Sequence, residues 1–180
     1  MDHASASRAV LVAHRRLLDR YLAAAHALSG ALPVTEHDPA RRSPCEVGDP
    51  DASGMVQWRP VPRATSPDVT ALEAALGAPL HPDLRAWFGA WWCLPVEAQH
   101  GEETLVLVHL GCDDEDRAFF ANAARLAPGG SVPVASFYDG RYLAVENATG
   151  AVRLEGPGLT PTPYAPGLAA LLDALTPLPL

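Results

Sequence analysis

Proline sets the first limit on this chain. Eighteen prolines and fourteen glycines are spread through 180 residues. A proline inside a helix or a central strand removes a backbone donor and fixes φ. The chain must therefore be built from short elements joined by long, rigid connections. Its length suffices for one domain, residues 1–180, with a sizeable core, and its 48% hydrophobic and 19% charged residues are ordinary for a globular protein.

Between the breakers, periodicity predicts the elements. Residues 5–29 read as an amphipathic helix with Val10, Leu17, Leu18, Tyr21, Leu22, Ala25 and Leu28 on one side. Residues 31–54, with Pro33, Pro39, Pro44 and Pro50, read as a long loop. Met55–Arg59 alternates as a short strand closed by Pro60. Ser66-Pro67-Asp68 offers a helix cap and a first-turn proline, and Gly77 a stop. After Pro82, Leu84, Trp87, Phe88 and Trp91 fall on one helical face. The apolar run Leu105–Val108 within residues 103–110 suits a central strand covered on both faces. Asp113–Leu126 reads as a helix with acids at its start, where the dipole favours them. Asp139-Gly140 signals a two-residue hairpin between Val132–Tyr138 and Arg141–Glu146. A further strand, Ala151–Glu155, and a helix near Pro166–Leu175 complete an α+β fold with a mainly antiparallel sheet.

The formal charge is −8 and every basic residue is arginine. Such a chain is a poor partner for phosphate backbones and a better one for something basic. Three widely spaced cysteines, Cys45, Cys93 and Cys112, give no disulfide framework and fit a reducing cytosol. No apolar run long enough to span a bilayer is present, and the N-terminus lacks the layout of a secretory signal. Known catalytic and phosphate-binding motifs are absent. His109 and Cys112 have a spacing that two metal ligands could use, but a second pair is lacking, so packing is the expected role of His109. Neither a metal nor a cofactor is expected. Cys45 reads as a small buried residue, and His14 and His26 have no ligand partner in register.

One feature is left over. Seven acids, Glu97, Glu102, Glu103, Asp113, Asp114, Glu115 and Asp116, lie in a stretch with no arginine between Arg85 and Arg117. They could cap a helix and solvate a loop. Capping needs one or two acids, however, and four in a row repel one another, a cost that docking of a basic partner would offset. Trp58 and Trp92 are open between core packing and the edge of a binding groove.

The order of motifs resembles the Syd family within the SUKH superfamily. The residues concerned are Ser43-Pro44-Cys45, Val56–Arg63, Ala75–Leu84, Gly101–Leu105, Glu146–Val152 and the last helix from Ala165. The chain departs from the family at Leu110-Gly111-Cys112, where an aromatic residue usually precedes the acids. The resemblance implies a non-enzymatic, cytoplasmic domain whose acidic concave surface receives the basic cytoplasmic loops of SecY, bringing it to the inner membrane. Other members of the superfamily are immunity proteins that neutralise a toxin, which makes a cognate toxin the alternative partner. The seven acids, with Trp58 and Trp92, are the expected contact residues.

Overall fold

The computed structural model describes residues 3–126 and 130–179, with side chains outside the description at 3–6, 114, 117 and 124–126. In chain order the elements are α1 (His3–Ser29), β1 (Val34–Glu36), β2 (Glu46–Val47), β3 (Met55–Trp58), β4 (Val61–Pro62), α2 (Thr70–Leu76), α3 (Pro82–Ala90), β5 (Trp91–Trp92), β6 (Val96–His100), β7 (Glu103–Leu107), α4 (Asp113–Leu126), β8 (Ser131–Phe137), β9 (Tyr142–Glu146), β10 (Val152–Glu155), β11 (Thr162–Ala165), α5 (Leu168–Ala174) and β12 (Thr176–Pro177). Seven strands form an antiparallel sheet in the order β11-β10-β9-β8-β7-β6-β12, and β1-β3-β2 form a smaller one. The fold is α+β, as the sequence pattern predicts.

Helix α1 packs on α3 and α5. Its inner face is Val10, Ala13, His14, Leu17, Leu18, Tyr21 and Ala25, all buried. Leu28, expected on that face, is 71% exposed, because the helix runs past the body it packs on. Residues from α1, the small sheet, the large sheet and α5 share one core cluster.

Several expectations change. Helix α2 begins at Thr70 rather than at Ser66-Pro67; its N-cap is Val69, without a side-chain cap bond, and Asp68 Oδ1 accepts from the Thr70 N–H at 2.9 Å. Helix α3 stops at Ala90, and Trp91 turns extended to pair with Pro62, so it leaves the helical face with Leu84, Trp87 and Phe88. Strand β7 is fully covered on one face and partly on the other: Leu105 and Leu107 are buried while Thr104 and Val106 keep some exposure. The β8–β9 turn closes with Phe137 N–H donating to Arg141 O at 2.8 Å, and only Gly140 has positive φ, 90°. A two-residue type I′ turn would need Asp139 there as well.

Candidate partner-binding surface

The predicted acids do not form one surface. Glu103 and the start of α4 lie at opposite ends of an extended segment. It continues beyond β7 through the Val108 N–H to Val134 O bond at 2.9 Å and the Cys93 N–H to Leu110 O bond at 3.3 Å. At 3.3 Å per residue the two ends are about 25 Å apart. Glu103 pairs with Arg141 at 2.7 Å, and Glu102 is exposed in the β6–β7 turn beside it. Glu97 is on β6, where its carboxylate accepts from the Tyr138 hydroxyl.

The α4 acids divide in turn. The side chain of Asp114 lies outside the described residues. Asp116 is only 7% exposed and takes both guanidinium nitrogens of Arg63, at 2.6 and 2.7 Å. The Arg63 side chain is itself 1% exposed, donates from Nε to Trp91 O at 3.1 Å, and stacks its guanidinium 3.5 Å from the ring centroid of Trp92. This bidentate, desolvated pair joins β4, β5 and α4, which makes Asp116 part of the frame. Trp58 is 2% exposed against Tyr21, with ring centroids 5.7 Å apart. It is a core residue with no surface to offer.

Asp113, Glu115 and Trp92 do come together, around a cleft that the sequence did not reveal. One part, of about 580 Å³, is lined by residues that include Glu36, His37, Asp38, Arg41, Glu46 and Glu115. An adjoining part holds Arg42, Trp92 and Asp113, and the two share Ser43, Glu46 and Cys112. The walls thus carry the carboxylates of Glu36, Asp38, Glu46, Asp113 and Glu115 against the guanidiniums of Arg41 and Arg42.

The local chemistry explains the shape. Ser43 Oγ donates to Gly111 O at 2.6 Å and accepts from the Cys45 N–H at 3.1 Å, tying residues 43–45 to the segment before α4. The Gly111 N–H donates to Glu115 Oε2 at 2.6 Å. A Cβ at Gly111 would lie 2.6 Å from Leu94 Cδ2 and 3.1 Å from Glu115 Oε2, so a larger residue would push the tips of both side chains aside. Glu46 Oε2 lies 2.9 Å from His37 Nδ1 and 3.5 Å from Arg42 Nε. The Ala40 N–H first, and Arg41 second, hold the Asp38 carboxyl below its usual range, which keeps it ionised. Glu36 has no ion pair among the described residues. A second groove, along the outside of α1, is lined by residues that include Arg8, Arg15, Arg16 and Arg20 with Asp19 as its acid; its sign is wrong for a basic partner.

The sequence expected none of Glu36, Asp38 and Glu46 here, because β1 and β2 are too short to show a period and Pro39 and Pro44 lie between Asp38 and Glu46. The Ser43-Pro44-Cys45 motif was the available signal. Cys45 is fully buried and burial pushes its thiol up, leaving it protonated and a poor nucleophile. His109 is buried against His14, with the Nε2 atoms 3.0 Å apart. Among the described residues no three metal-ligating side chains converge.

Comparison with known proteins bears on the whole chain. A family model described as Syd protein (SUKH-2) matches residues 12–177. Protein Syd of Pseudoalteromonas atlantica is 31% identical over 163 residues, covering 84% of this chain and 86% of the relative. Protein Syd of Psychromonas ingrahamii is 29% identical over 157 residues, 82% of this chain and 85% of the relative. Protein Syd of Aeromonas hydrophila subsp. hydrophila is 46% identical over a shorter stretch of 65 residues, 36% of this chain and 35% of the relative. With a matching model that takes in α1 from Val12 onward, the other four helices and both larger sheets, the chain belongs to the Syd protein family (SUKH-2).

Proposed function

We propose that the chain is a non-enzymatic docking factor that receives a basic cytoplasmic loop of SecY in the cleft between residues 35–46 and 111–115. The observation that carries this reading is the imbalance of charge on the cleft walls, five carboxylates against two guanidiniums. Charge of one sign in a concave site focuses the field and speeds encounter with a partner of the opposite sign. Trp92, half-buried at the cleft edge and stacked on Arg63, supplies the rigid aromatic anchor that such interfaces favour. No helix among the described residues is long and apolar enough to cross a membrane, so contact with the membrane comes through the partner. The alternative partner, a cognate toxin, draws no support from the relatives named above, each of which is called Protein Syd.

The test is sedimentation with membrane vesicles containing SecY, against vesicles depleted of it. The triple variant Glu36→Gln, Asp113→Asn, Glu115→Gln keeps size and hydrogen-bonding capacity and removes three charges. Wild type should bind only the SecY vesicles, more weakly as salt shortens the screening length from about 10 Å toward 3 Å. The variant should bind about tenfold or more weakly while unfolding at the same temperature. Equal, salt-insensitive binding by both proteins would refute the reading.

A further inference from the structure

The cleft is bordered by an unused strand edge. The small sheet has the order β1-β3-β2, so β1 is paired on one side only. The Trp58 N–H donates to Pro33 O and the His37 N–H to Gly54 O, both at 2.9 Å, and Thr35 stands opposite Val56. Residues 33, 35 and 37 therefore aim their backbone groups at β3. The alternation of an antiparallel ladder turns those of Val34 and Glu36 the other way. Neither of these N–H groups has a partner among the described residues. Val34 is 51% exposed, and Glu36 is a cleft residue.

A free edge can take another strand. When an extended peptide fills that place, backbone hydrogen bonds supply affinity and alternate side chains supply specificity. The acids decide what kind of strand fits. A second copy brought edge to edge in the register centred on Glu36 would set that acid against the Glu36 of its twin, with Asp38 close by, and like charges facing across a strand pair are unfavourable. An extended segment carrying arginine or lysine at alternate positions would meet Glu36, Asp38 and Glu115 with opposite charge. We propose that β1 receives the partner's basic segment as an added strand, with Val34 and Glu36 making the backbone hydrogen bonds and the cleft carboxylates reading its charge. The proposal rests on the reading of the cleft as the partner site and adds the form in which the segment is held.

The experiment uses the full chain and two peptides of about ten residues, the length of a long strand, alternating arginine and valine. One has an ordinary backbone. The other is N-methylated at its four central amides, which keeps all its charge and blocks both edges. The unmodified peptide should bind at least tenfold more tightly. Val34→Pro removes one outward N–H and no ladder bond, a substitution that edge strands accept. It should lower the affinity for the unmodified peptide to that for the methylated one, with the circular dichroism spectrum unchanged. Should Val34→Pro fail to fold, the peptide pair on wild type decides alone. Equal binding of the two peptides overturns strand addition and leaves the cleft reading intact; binding of neither overturns both. A wild-type dimer that Val34→Pro turns into a monomer would give the edge to a second copy, and that also overturns the proposal.

Discussion

Asp113 and Asp116 stand three residues apart in one run of acids, and the fold puts them to different uses. Asp113 is exposed in the cleft, whereas Asp116 is 7% exposed and holds Arg63. Removing one partner of a buried pair strands the other charge, which costs about 3–5 kcal/mol. Loss of an exposed acid in the first turn of a helix costs about 0.3–1 kcal/mol. Urea unfolding should therefore show Asp116→Ala strongly destabilised and Asp113→Ala near wild type. Equal midpoints for the two variants would mean that the Arg63 pair does not hold the frame. Charge counting could not separate these two residues, because the deciding partner, Arg63, is 53 positions away. Trp58 shows the same limit. Its strand was legible as an alternating pattern, but which face of the strand meets α1 was not.

At the scale of elements, long periods were legible and short ones were not. Helix α1 follows from apolar residues spaced for one face, helix α4 from the acids at its start, and the β8-β9-β10 meander from the turn residues Asp139-Gly140 and Asn147–Gly150. Strands of two or three residues, such as β1, β2 and β5, are too short to show a period. They form because tertiary partners hold them, and β1 and β2 carry two of the five cleft acids, Glu36 and Glu46.

One contact between elements went unread for the same reason. His14 of α1 meets His109, just beyond β7; His14 stacks on Trp87 and His109 lies tilted against the same ring. Burial drives the His14 value well below the ordinary histidine range, helped by His109, and drives His109 down to about 3. Each Nδ1 is buried without a partner. The folded state therefore holds both rings neutral, while the unfolded chain takes up protons below about pH 6.5. Stability from this pair is complete above that value and is lost as pH falls toward the folded value. Between pH 6.5 and 5.5 the two rings together should cost about 2 kcal/mol, before most carboxylates titrate. Urea midpoints at the two pH values measure it. His14→Leu combined with His109→Leu should flatten the dependence, and an unchanged slope would remove the pair as its source.

Across the whole molecule, the charge of −8 is divided by the fold. Arginines line the outside of α1, the β6–β7 turn carries Glu102 and the Arg141-paired Glu103, and the cleft holds five carboxylates. Family membership was legible because the motif series runs along nearly the whole chain in order. The site was legible only in part. Asp113, Glu115 and Trp92 meet in the cleft, while Glu97, Glu102 and Glu103 lie elsewhere on the sheet. The cause is geometric, since an extended strand carries neighbours in sequence far apart in space.

Cys112 offers a native reporter for the central claim. It lies between the two parts of the cleft and is partly exposed, whereas Cys45 and Cys93 are fully buried. Burial also raises the thiols of both buried residues, so a maleimide should label Cys112 first. The measurement is the labelling rate of Cys112 with and without a saturating amount of SecY-containing vesicles. The account predicts that the vesicles slow labelling about tenfold or more and that SecY-depleted vesicles do not. A Cys112 rate unchanged by bound SecY would contradict it.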